Sequence, residues 1–166
     1  MLLFILDNSA LKIGNCWSLN DDHRLAQIPE PVIAQWQAAY PPSVSKPAVA
    51  TARRLFDIGL ELVGLARDAG VPIVAGTHTV LPYVVPGADL HEELKLLVAA
   101  GLSQAQALSA ATVTAAKLAG LDEAIGAVKT GMIADLLLLD ADPLADIRNS
   151  RRIALLVQGG KLANST

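Results

Sequence analysis

Three histidines, one cysteine and a scatter of carboxylates are the side chains of this 166-residue sequence with the types and spacings to do chemistry. The most suggestive is His78, in the stretch "DAGVPIVAGTHTV". An apolar run from Val71 to Ala75 ends in Gly76-Thr77, and an imidazole follows. Enzymes built on parallel strands present their reactive groups where the strands end. His78 is therefore a candidate catalytic base and metal ligand, since an imidazole binds a metal through one nitrogen and ordinarily titrates near neutrality. Thr77 and Thr79 flank it and could orient it against substrate. The competing reading is a polar side chain satisfied locally as the chain leaves its strand.

The other candidates are weaker. His91 opens "LHEEL" and reads either as a first-turn histidine beside Glu92 and Glu93 or as a substrate contact. His23, in "NDDHR", is a loop residue that with Asp21 and Asp22 could trap an adventitious divalent cation. Cys16 lacks the positioned histidine and asparagine of a thiol nucleophile and reads as a free thiol. "QGGK" has neither the spacing nor the following hydroxyl of a phosphate loop. Asp135 and Asp140 flank a strand, where turn and edge hydrogen bonding suit them. A zinc site ordinarily needs three protein ligands. One chain offers no visible third, so the ligand set is incomplete.

The elements that must position these groups follow from periodicity. Pro29 and Pro31 bracket the entry to a short helix around 32–39, which Pro41-Pro42 end. Pro47 suits a first helical turn with Ser45 as its cap, and Val49, Ala52, Phe56, Leu60 and Val63 recur at helical spacing. Leu55, Leu62 and Ala66 widen that stripe, and Gly70 is the stop. "VPIVA" then reads as a short parallel strand buried on both faces. A further helix is expected over 87–100, and Ser103 caps one more that Gly120 closes. Beyond 121 the texture turns to β: a strand at 135–139, then a hairpin, "RIALLVQGGKLAN", whose Gly159-Gly160 supplies positive φ. A long helix, a strand and a helix make a right-handed α/β unit. The β tail has no evident partner strands.

Composition agrees with a packed α/β protein. Hydrophobic residues make up 52% and charged residues 17%, far too apolar for a disordered chain, and with 4% aromatics the core must be aliphatic. Mean hydropathy is +0.43 and the isoelectric point about 5.5. A net charge of −3 with no basic stripe argues against a nucleic-acid partner. "MLLFIL" is too short for a membrane span and lacks the features of a signal peptide. A lone cysteine suits a cytoplasmic address.

Taken together, "AGVPIVAGTHT", "LHEELKLLVAAGLSQAQALSAATVTAAKLAGL" and "IGAVKTGMIADLLLLDADPLADIRNSRRIALLVQGGKL" resemble the C-terminal part of the amidohydrolase superfamily, nearest its imidazolonepropionase-like and prolidase-like members. The resemblance covers about 47–163. It implies the last part of a (β/α)8 TIM-like barrel followed by the C-terminal strands of a small β-sandwich whose other strands lie N-terminal. It also implies hydrolysis of C–N bonds in cyclic amides or dipeptide-like substrates by water activated on a divalent metal such as zinc. The family's proton-shuttling aspartate follows glycine-threonine; here His78 holds that position. The first-strand histidine pair and the mid-barrel ligands have no counterpart.

Three zones result: an irregular segment at 1–46, a partial barrel at 47–120 and β-rich strands at 121–166. Three functional readings stand beside one another: a hydrolase acting on a small molecule, a self-associating structural remnant, and one piece of a split enzyme. Exposed apolar edges lead us to expect a homo-oligomer or a complementing chain.

Overall fold

The computed structural model describes residues 25–26, 28–39, 46–78 and 82–163. Cys16, His23 and Thr79 lie outside the described residues, as does most of the N-terminal zone.

Helix α1 (Glu30–Ala39) starts two residues before its expected position. The Pro29 carbonyl accepts from Val32 and Ile33, and Pro31 sits in the first turn, where a missing N–H costs nothing. Helix α2 (Lys46–Asp68) is the 23-residue amphipathic element expected from the stripe. It closes at Gly70, whose φ of 72° lets the Val71 amide reach back to the Ala66 carbonyl.

Val71 to Ala75, expected as a doubly buried strand, is extended but forms no ladder among the described residues. Its Val71 side chain is exposed, and beyond the Val71 bond to Ala66 the segment is tied by the Ala75 amide to the Ala110 carbonyl, 3.0 Å. The reason is physical: a parallel strand exists only through its neighbours' amides and carbonyls.

Helix α3 (Ala88–Ala99) packs on α4 (Gln104–Ala111) to form the core. Leu94, Leu97, Ala100, Leu102, Ala107, Ala110 and Ile147 are buried together, with Leu60, Val63 and Ile73 packed against them. Burying each leucine contributes about 1.5–3 kcal/mol. Ser103 caps α4 with a reciprocal box: its hydroxyl accepts from the Gln106 amide at 3.2 Å, and the Gln106 side chain accepts from the Ser103 amide at 2.8 Å. The single helix expected after Ser103 is instead two. Thr112, at φ −127° and ψ −95°, separates α4 from α5 (Val113–Leu118). Its hydroxyl donates back to the Leu108 carbonyl, the local bonding that lets threonine break a helix.

The tail forms a three-stranded antiparallel sheet in the order β1 (Leu136–Leu139), β2 (Ile153–Gln158), β3 (Lys161–Leu162). Leu137 pairs with Leu156, and the register slips by one residue between Leu138 and Leu139. Gly159 and Gly160, at φ 55° and 77°, turn the hairpin as expected. Asp135 accepts from the Gly159 amide at 2.6 Å, the strand-edge role read from sequence. A 3-10 turn, Ile147–Arg151, lies between β1 and β2 and packs on α3. Leu137, Leu138, Leu155 and Leu156 are all exposed, so neither face of this sheet is fully covered. Among the described residues no helix is long and apolar enough to cross a membrane.

Candidate functional site

His78 ends the extended segment that begins at Val71, and it stands in the left-handed region at φ 55°. A residue bearing a Cβ seldom adopts that conformation, although histidine does so more readily than most. The His78 side chain is exposed, Thr77 before it is half-buried, and among the described residues no hydrogen bond or ion pair engages the imidazole.

His91 is placed elsewhere. It lies in the first turns of α3, with its Nδ1 3.0 Å from the Oγ of buried Ser150 in the 3-10 turn. Beside it, Glu92 bridges two cations: Lys95 on the next turn of the same helix, at 2.5 Å, and Arg151 from the 3-10 turn. Burial pushes the His91 imidazole below its ordinary value, the Arg151 charge adds to that depression, and Glu92 opposes it. Among the described residues no hydrogen bond or ion pair joins His91 to Thr77 or His78.

A serine in contact with a histidine invites a nucleophile-and-base reading. Ser150 is only 4% exposed, which leaves no room for a substrate carbonyl at its oxygen. Nor does any carboxylate hydrogen-bond the other ring nitrogen among the described residues, as an oriented base requires. The group acts as a clasp between α3 and the C-terminal part.

Two acidic residues of α3 have a burial that the sequence does not announce. Asp89 and Glu93 are both fully buried, one turn apart. Asp89 Oδ2 accepts from the Val85 amide at 2.6 Å and so ties the first turn of the helix to the residues just before it. Their four-residue spacing in "ADLHEELK" was visible, but acidic pairs at that spacing are usually solvated. Tyr83, also ahead of α3, stacks at a tilt on Trp36 of α1, with ring centroids 5.3 Å apart.

A metal requires converging ligands. Among the described residues no three histidine, cysteine, aspartate or glutamate side chains gather closely enough to hold one. These residues alone do not fit a metal centre, because three protein donors are the usual minimum.

Comparison with known proteins then bears on this arrangement. Residues 13–163 match the amidohydrolase family. No curated protein sequence matches the chain. Among solved structures, a candidate prolidase from Bifidobacterium longum is 31% identical with a TM-score of 0.67, over 81% of this chain and 34% of that one. An ochratoxinase from A. niger is 29% identical with a TM-score of 0.60, over 79% and 30%. A molinate hydrolase is 25% identical with a TM-score of 0.61, over 80% and 30%. The chain thus spans about a third of the length of the solved structures it matches. The fold is a partial α/β barrel with a small sheet, which explains why Val71 to Ala75 lies extended without strand neighbours.

Proposed function

The chain belongs to the amidohydrolase family, and from that premise we propose that it is the C-terminal portion of a hydrolase that cleaves C–N bonds. Cyclic amides and Xaa-Pro-like dipeptides are the substrate class. The names of the similar structures, a candidate prolidase and a molinate hydrolase among them, support hydrolysis. One observation carries the placement of the chemistry: the exposed His78 ends the extended segment at a left-handed backbone position. Strand ends are where barrel enzymes work.

In this reading His78 takes the proton from an attacking water as the new C–O bond forms. It then returns that proton to the nitrogen leaving from the broken C–N bond. Thr77 and Thr79 border the reacting group, and His91 borders the substrate's route to it. The family's divalent metal, zinc in our reading, would need ligands beyond the described residues. The enzyme is cytoplasmic and acts on a small molecule rather than on nucleic acid or membrane, in keeping with its net charge of −3 and single cysteine.

The test is metal content per chain after dialysis against metal-free buffer, for the wild type and His78→Ala side by side. We expect roughly one equivalent of metal or more in the wild type and its loss in the variant, with hydrolysis of a dipeptide panel lost in parallel. No retained metal in either protein would sink this reading and favour a structural module instead.

A further inference from the structure

Among the described residues, eight glycines stand at positive φ, and two other residues join them: His78 at 55° and Tyr83 at 63°. A ring-bearing side chain adopts that conformation at a cost that glycine avoids. The chain does use glycine for it at Gly87, just ahead of α3, where a Cβ would meet nothing within 4 Å. The two exceptions lie five residues apart, and the first of them is the candidate reacting group. Sparsely populated backbone of this kind persists only where its surroundings over-determine it, and it gathers at functional sites.

What holds Tyr83 is visible. Its side chain is 6% exposed and stacks on Trp36 of α1, with the ring planes 58° apart. Val84 and Val85 after it are 1% and 2% exposed, and the Val85 amide donates to the buried Asp89 carboxylate. Residues 83–85 are therefore a fixed point, joined to α1 by a ring and to α3 by a hydrogen bond. On the other side, the Ala75 amide donates to the Ala110 carbonyl of α4, three residues before His78. His78 thus stands between two fastened points. A chain of five residues reaches at most about 17 Å, so a fixed Tyr83 limits where His78 can stand.

We propose that Tyr83 is a positioning residue for His78: its ring, held by Trp36, fixes the chain beyond His78 and so keeps the His78 backbone in its left-handed conformation. This rests on reading His78 as the reacting group, but its test needs neither metal nor turnover.

The imidazole C–H signals in the proton NMR spectrum of the whole 166-residue chain test it, at about pH 8 where histidines are neutral. His78→Ala assigns the His78 signal, and His91 in α3 serves as the internal control. The wild type is expected to give one sharp His78 signal. Tyr83→Leu and Trp36→Leu should each split or broaden it, while the His91 signal and the helical circular dichroism stay as in the wild type. Tyr83→Phe keeps the ring and should keep the single sharp signal. One sharp His78 signal in either folded leucine variant, shifted or not, overturns the proposal. So does a wild-type signal that is already multiple, or a Tyr83→Phe protein that behaves like Tyr83→Leu. Should Tyr83→Leu lose the fold, Trp36→Leu decides, because Trp36 is only half-buried. A failed search for metal or hydrolysis beside the expected NMR pattern would tell against the hydrolase reading alone.

Discussion

His91 and Ser150 meet with Nδ1 and Oγ 3.0 Å apart, although 59 residues separate them in the chain. Their contact, flanked by the Glu92–Arg151 ion pair, fastens α3 to the 3-10 turn and through it to the sheet. It links the helical part to the tail, and it has a pH dependence with a definite sign.

Burial holds the folded-state His91 imidazole below its unfolded value, with Arg151 acting in the same direction. Between the two values the unfolded chain binds more protons, so stability rises with pH across that window. It is lost as pH falls from the ordinary imidazole range through the depressed folded value. Urea midpoints at about pH 7.5 and about pH 5 should therefore drop further for the wild type than for His91→Gln, which cannot titrate. Equal drops in the two proteins would remove His91 from the account.

Asp89→Ala should be costly. The Val85 amide sits in a 2% exposed residue and donates to Asp89 Oδ2 at 2.6 Å. Losing that acceptor leaves a buried donor stranded, at about 1–3 kcal/mol. Asp89→Asn keeps an acceptor oxygen and should lose less. Chemical denaturation of the two variants gives the comparison, and an Asn variant as weak as the Ala variant would show that the charge itself matters.

The reciprocal box at the start of α4 makes a local prediction. Ser103→Ala removes the acceptor for the Gln106 amide and should lower stability by about 1 kcal/mol, while Ser103→Thr should retain most of it. Thermal melts that cannot tell the three proteins apart would contradict the capping geometry.

His78 carries a cost that a glycine would not. With its φ at 55°, His78→Gly relieves on the order of 1 kcal/mol of backbone strain, whereas His78→Ala keeps the Cβ and relieves none. The glycine variant should melt higher than the alanine variant. If function rests on the imidazole, both lose it equally. A glycine variant that melts lower than alanine would mean that the backbone there is not strained.

Much of this architecture could be read directly. The helical stripe of α2 with its Gly70 stop, the Ser103 cap and the Gly159-Gly160 hairpin are local signals, since caps and turns are decided by neighbours within a few residues. The site was legible only in part. His78 drew notice through the glycine-threonine that precedes it, but its left-handed backbone did not show, because a histidine's φ is set by the chain on either side of it. Ser150 had no signal: a serine in "IRNSR" is ordinary until a helix from 59 residues upstream sets an imidazole on it. The burial of Asp89 and Glu93 was equally hidden, since their spacing is that of a solvated helix face.

By itself the sequence determined the class of this protein: an apolar, acidic α/β chain of the amidohydrolase family. Those properties depend on residue type and near-neighbour spacing. Tertiary structure alone decided which apolar residues are covered. It left Val71 to Ala75 extended without a ladder, and it split the helix at Thr112. It also turned α2 so that one apolar face meets the core while Leu55, Ile58, Leu62 and Leu65 stay bare. The physical reason is that a side chain's own hydrophobicity says only that burial is favourable. Whether it is buried depends on which surface stands opposite, and that surface comes from distant parts of the chain or from another chain.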